Sequence, residues 1–228
     1  MPKVECFFDC GSPFGYLGLL NLHTLASRLG IAVEWRPVVV GFVFAAANPG
    51  VYLNRRINAA PLKSVGDLRS IDRWADHAGV EINHPPRCGH PVNTVKCMRA
   101  CIALQPQERM FAFAAGAGQA LWRDGRNLGE DQVLADVAAD LGIDPEWLLQ
   151  AIAAPHVKDQ LKRNTAELAA RGGFGVPTIF VDDVHMFWGN DRLPLVEARL
   201  REGLRLCGGV SGGTGTHPAV PPLADMPG

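Results

Sequence analysis

The residues best suited to chemistry stand together at Cys10-Gly11-Ser12-Pro13-Phe14. Ser12 has the side chain of a helix N-cap, a hydroxyl that accepts from an orphan backbone N–H. Pro13 suits the first helical position, where its missing N–H costs nothing. A helix that starts here presents free N–H groups and a partial positive charge, which together make a site for an anion. Ser-Pro taken alone is ordinarily no more than a cap, so the rest of the chain must decide what the anion is.

The cysteines remove one option. They stand at positions 6, 10, 88, 97, 101 and 207, and no two of them form C-x-x-C. The N-terminus alternates from Lys3 to Asp9 and carries charge, so it does not read as a signal peptide, and reduced thiols are expected. Cys97 and Cys101 lie one helical turn apart and read as packing residues rather than a bridge. His84, Cys88 and His90 have the right types for a metal, but Pro85, Pro86 and Pro91 break their loop and no fourth ligand is near. No metal is expected.

The elements that must position Ser12 can be read outward from it. Val4 to Phe8 is rich in β-formers and closes on Asp9 and Gly11, which predicts a strand. Phe14, Leu17, Leu22, Leu25 and Leu29 share one broad face, which predicts a helix from Pro13 to Leu29 with Gly30 as its C-terminal cap. Ile31 to Val40 reads as a second strand. Strand, helix, strand in this order is a βαβ unit with parallel strands and a right-handed crossover.

Further on, helical spacing predicts helices over Lys63–Ala78, Asn93–Leu104, Gln107–Arg123, Glu130–Leu141, Pro145–Ala153 and Pro155–Arg171. Gly116-Ala117-Gly118 lacks the third glycine and the preceding strand of a dinucleotide fingerprint. Thr178–Val181, the turn Asp182-Asp183, and His185–Trp188 read as a hairpin. Asn190 reads as the cap of a last helix carrying Leu193, Val196, Leu200 and Leu204. After Cys207 the chain is rich in Gly and Pro and reads as a flexible tail.

Composition bounds the class. With 228 residues, 47% hydrophobic and 20% charged, the chain reads as an ordinary globular protein. Its net charge of −1 and lack of a basic block give no nucleic-acid partner. The longest apolar run, Val38 to Ala47, is too short to span a bilayer. No membrane association is expected, and the expected location is the cytoplasm.

βαβ, then helices, then a hairpin and a closing helix is the order of an α/β thioredoxin-like fold with an all-helical domain inserted between its halves. The boundaries expected are 1–41 with 155–207 for the thioredoxin-like domain, 42–154 for the insert, and 208–228 for the tail. Phe8-Asp9-x-x-Ser12-Pro13-Phe14-x-Tyr16-Leu17 resembles the start of the 2-hydroxychromene-2-carboxylate isomerases and kappa-class glutathione transferases, DsbA-like members of the thioredoxin superfamily. The resemblance continues at Asn48-Pro49, Arg73-x-Ala75, Asn93-Thr94 with Arg99, and Trp122-x-x-Gly125. It is strongest at Gly173-Phe174-Gly175-Val176-Pro177-Thr178 and Phe187-x-Gly189-Asn190-Asp191-Arg192-Leu193.

The resemblance implies glutathione as cofactor and a cis peptide at Pro177. The two places where disulfide oxidases of this fold carry thiols hold Ser12 and Gly15, so exchange chemistry at this site lacks its sulfur. Ser12 is instead the expected catalytic residue, donating to a glutathione thiolate. A charge-assisted hydrogen bond of about 1.5–3 kcal/mol and a helix end of about 0.3–1 would together bring a thiol from about 8.5 to roughly 6–7. Val176, before Pro177, would offer its backbone to the cysteinyl part. Asn190 and Asp191 would take the γ-glutamyl end, although a plain cap accounts for that pair equally well. Asn48 and Lys63 would hold the outer side, with a solvated helix residue as the plainer account of Lys63.

Phe14, Asn93, Arg99 and Trp188 are candidates for the pocket of an aromatic or electrophilic small molecule. Two departures from the family pattern, Gly66 and Ser70, fall in the insert that would shape this pocket. The activity implied is isomerisation of an unsaturated pyruvate by thiolate addition, rotation and elimination. A kappa-like transferase or peroxidase and a silent thioredoxin-like binding module stand as alternatives, with a disulfide isomerase acting through Cys10 as the remotest. The resemblance is compatible with a homodimer.

Overall fold

A computed structural model of the chain describes residues 1–47 and 65–208, the side chains of 65–69, 207 and 208 excepted. Asn48, Lys63 and the tail from 209 onward lie outside the described residues.

The strand β1 (Val4–Phe8) leads into α1 (Pro13–Leu29), β2 (Glu34–Pro37) and α2 (Val40–Ala47). Among the described residues six helices follow: α3 (Val65–Ala78), α4 (Val95–Leu104), α5 (Met110–Trp122), α6 (Asp131–Asp140), α7 (Pro145–Ala151) and α8 (Pro155–Ala170). The hairpin β3 (Thr178–Val181) and β4 (His185–Trp188) comes next, then a 3₁₀ turn at Asn190–Arg192 and α9 (Leu193–Gly208). The sheet order is β2-β1-β3-β4, with β1 parallel to β2 and antiparallel to β3, and β4 antiparallel to β3. This is the thioredoxin-like topology expected. No helix among the described residues is long and apolar enough to cross a membrane.

As the central neighbour of two strands, β1 is buried on both faces. Val4, Cys6 and Phe8 join a cluster with Leu19 and Leu22 of α1 and Val196 and Leu200 of α9. That cluster runs without a break into the middle helices through Cys97, Met98, Phe113 and Trp122. Phe7 lies on the opposite face with Val38, Val43, Leu168, Val176 and Phe180. Glu5 falls on this second face too, and its carboxylate is compensated by Arg171, 2.9 Å away, whose guanidinium also covers the Phe180 ring.

Two expectations are corrected here. The second strand ends at Pro37, and Val40 opens a helix rather than closing a strand. The Val40 N–H is taken by the Asp9 carboxylate at 2.9 Å and the Val39 N–H by the Thr165 hydroxyl, so partners distant in sequence redirect an apolar run that looks like β. Asn190 does not cap the last helix through its side chain. It begins the 3₁₀ turn and lies buried, its carbonyl oxygen accepting from Asn21 Nδ2 of α1 at 3.0 Å.

Candidate active site

Ser12 has extended backbone angles (φ −103°, ψ 126°) and its Oγ accepts from the Gly15 N–H at 3.1 Å. A hydroxyl also has one proton to donate, and that of Ser12 has no acceptor among the described residues. Half-buried at the first turn of α1, it is free to turn toward a ligand.

Two glycines bring this helix end to the loop before β3. A Cβ on Gly15 would lie 3.2 Å from both Ser12 Cβ and Val176 Cγ2, and one on Gly18 would lie 2.5 Å from Pro177 Cγ. The Val176–Pro177 bond is cis. Pro177 passes its carbonyl to the Gly189 N–H at 2.9 Å, and the Gly175 carbonyl accepts from the Thr178 hydroxyl at 2.8 Å. Between them, the N–H and C=O of Val176 find no partner among the described residues. Backbone groups left open in this way are what an added strand of peptide would take up.

The turn after β4 meets the same helix. Asn190 is tied to Asn21, yet its buried Nδ2 has no partner among the described residues. Asp191 beside it is exposed and 3.7 Å from Arg192. Trp188, 46% exposed, rests against Phe174 with ring centroids 4.6 Å apart, and its Nε1 covers the place a Cβ on Gly175 would take. Thus Ser12, Val176, Pro177 and Trp188 lie close to one another, while Asn190, with Asp191 after it, meets α1 further along at Asn21.

The remaining candidates divide. Asn93 is exposed and spends its Oδ1 on the Val95 N–H at the start of α4. Its neighbour Thr94 reaches the site. Arg99 lies more than a turn further along; among the described residues its buried Nε has no partner and nothing ties it to Ser12.

What holds Ser12 in place was not assigned from the sequence. The buried Asp9 carboxylate accepts from the Gly11 N–H at 2.8 Å, the Val40 N–H at 2.9 Å and the Thr94 hydroxyl at 3.0 Å, so one side chain collects the starts of α2 and α4 beside that of α1. Burial pushes its pKa up against the pull of those three donors. Trp122 donates its indole N–H to the Cys10 carbonyl at 2.8 Å, and His90 Nε2 meets the Gly11 carbonyl at 2.9 Å. The available signal was an acidic residue at the end of a strand buried on both faces, where only hydrogen-bonded partners make it tolerable. For His90, with a metal set aside, no sequence signal remained.

Cys10 is fully buried, pointing away from Ser12's surroundings, with its Sγ toward the Ala114 carbonyl. Cys97 and Cys101 lie against it, and burial pushes the Cys101 thiol well up. The four buried thiols, Cys6, Cys10, Cys97 and Cys101, are free. At mildly alkaline pH a soluble disulfide reagent is expected to label Cys88 and leave these four untouched until the protein is unfolded. Rapid labelling of Cys10 in the folded state, read by mass spectrometry, would contradict this.

Comparison with known proteins places this arrangement. A DSBA-like thioredoxin domain matches residues 3–201. A 2-hydroxychromene-2-carboxylate isomerase from Sphingobium xenophagum is 30% identical over 197 residues, covering 86% of this chain and 97% of the relative. Human glutathione S-transferase kappa 1 is 25% identical over 210 residues, covering 87% and 91%. Among solved structures, an HCCA isomerase superposes with a TM-score of 0.74 at 22% identity, over 92% of this chain and all of that one; it speaks for the fold alone.

Proposed function

The chain belongs to the DSBA-like thioredoxin family, with relatives named as 2-hydroxychromene-2-carboxylate isomerases and kappa-class glutathione transferases, and from that premise we propose that it is a glutathione-dependent isomerase. The observation that carries the reading is a serine hydroxyl at a helix N-terminus, packed against a cis-Pro177 loop, with its proton and the Val176 backbone both unpaired among the described residues. An orphaned Asn190 Nδ2 beside the same helix fits the group as well.

When bound, glutathione supplies a sulfur nucleophile for reversible addition to an unsaturated pyruvate. Ser12 donates its free proton to that sulfur, and the α1 N-terminus favours its negative charge. Val176 pairs with the cysteinyl backbone and fixes its direction, which is the positioning on which such a reaction depends. Asn190 and Asp191 are the proposed partners of the γ-glutamyl carboxylate and ammonium. Asn48 and Lys63 are proposed for the glycyl side. Trp188 and Phe174 line the exposed edge beside Gly175, and with Phe14 offer apolar surface to an aromatic substrate. Asn93 and Arg99 are proposed for its polar end. A single homodimer partner and a cytoplasmic setting belong to the same proposal, as does a division into a thioredoxin-like domain and a helical insert.

Calorimetry with glutathione, followed by turnover of a hydroxybenzylidenepyruvate against a chlorodinitrobenzene-type acceptor, tests the proposal. Isomerisation with little conjugation is the expected result. Conjugation alone would favour the transferase reading, which the human kappa relative supports. Absence of glutathione binding would leave a thioredoxin-like binding module.

A further inference from the structure

The peptide that delivers Ser12 is held from both sides by side chains that have no place in the chemistry above. Gly11 precedes the serine directly. Its N–H is bonded to Asp9 Oδ1 and its C=O to His90 Nε2, and a Cβ there would lie 2.6 Å from Thr94 Cγ2. Every polar group of Gly11 is therefore spoken for, and a side chain there would have to displace Thr94. One residue earlier, the Trp122 indole holds the Cys10 carbonyl.

We propose that His90 is a positioning residue for Ser12, acting through the Gly11 carbonyl opposite Asp9 so that the serine hydroxyl meets the bound sulfur at hydrogen-bonding distance. A carbonyl oxygen only accepts, so in this contact Nε2 carries the proton. The ring is kept in orientation by its neighbours: Trp122 at 5.5 Å and His84 at 5.7 Å between centroids. Asp9 lies on the far side of Gly11 as the other half of the grip. Loop residues 84 to 91, broken by cis bonds at Pro85 and Pro91, thus act on the reactive end of a helix that begins more than seventy residues earlier.

The inference rests on the glutathione reading, and the test separates the two. Gln places an amide N–H close to the position of imidazole Nε2, whereas Leu has none. His90→Gln is expected to keep the bound-thiol pKa and kcat within about twofold of the parent, since the donated hydrogen bond is retained. His90→Leu is expected to raise the bound-thiol pKa, read from thiolate absorbance, by about one unit and to lower kcat about tenfold. The glutathione Kd, set by the Val176 and Asn190 contacts, should stay within about threefold. In the ligand-free protein, ¹⁵N imidazole shifts should report the Nε2–H tautomer of His90.

An unchanged pKa and kcat in His90→Leu, or a neutral Nδ1–H tautomer, would overturn the proposal. So would a His90→Gln variant as impaired as His90→Leu, because that would make ring packing on Trp122 the whole effect. If the Leu variant does not fold, His90→Asn, too short to reach Gly11, replaces it against His90→Gln. A parent protein that binds no glutathione overturns the glutathione reading together with this one, whereas a binding parent with indifferent variants overturns this one alone.

Discussion

Ser12→Ala is expected to lower turnover at neutral pH by about ten- to a hundredfold while the fold persists. The hydroxyl proton has no other acceptor among the described residues, so its donation to a bound thiolate is a charge-assisted bond of about 1.5–3 kcal/mol. Losing it raises the thiol pKa by about one to two units, which leaves a small fraction ionised at neutral pH. The same substitution removes the N-cap bond to Gly15, at about 0.5–2 kcal/mol of stability. Pro13 remains to start the helix, so the circular dichroism spectrum should be unchanged. The measurement is kcat against pH together with the thiolate absorbance of the bound tripeptide. A flat response in both would take Ser12 out of the reaction.

Gly18→Ala is expected to have the largest effect on the site from a position that touches no ligand. The added methyl would sit 2.5 Å from Pro177 Cγ and 2.9 Å from its Cβ, and a proline ring next to a buried strand cannot swing aside. Helix α1 must back away from the cis-Pro177 loop, at about 1–3 kcal/mol for overpacking. Alanine's better helix propensity returns about 1 kcal/mol, so the net loss in urea unfolding is smaller than the loss in binding. Ser12 and Val176 would then no longer face one tripeptide together, and glutathione affinity should fall about tenfold or more. A variant that binds as the parent does would mean that the helix and the loop need not be in such close contact.

Both effects turn on how close α1 comes to the Val176–Pro177 loop, which the sequence conveyed only indirectly. The Phe-Gly-Val-Pro-Thr block and the Ser-Pro start were legible as motifs, and the cis bond at Pro177 is where the resemblance implied it. The further cis bonds, His84–Pro85 and His90–Pro91, had no such motif to mark them. Val40 was misread because a run of valines is the same local signal whether it ends a strand or enters a helix. The N–H groups that decide it are bonded to Asp9 and Thr165, neither of them nearby in sequence. Asn190 was misread for a like reason. Asn at the start of a helix is the ordinary cap, but here its oxygen is claimed by Asn21 across the packed interface.

The sequence by itself determined most of the strands and helices, the helix α2 at Val40 excepted, the serine at the first helix start, the absence of a sulfur there, and the family. These depend on neighbours within about one helical turn or on short blocks of residue types, and such information is local. Only the tertiary structure decided what surrounds Ser12: an aspartate bonded to a threonine 85 residues away and a histidine bonded to a carbonyl 79 residues away. Hydrogen bonds across such separations exist because packing has already excluded water and brought the two groups together. No periodicity or cap encodes them, and they fix where the Ser12 backbone sits at the start of α1.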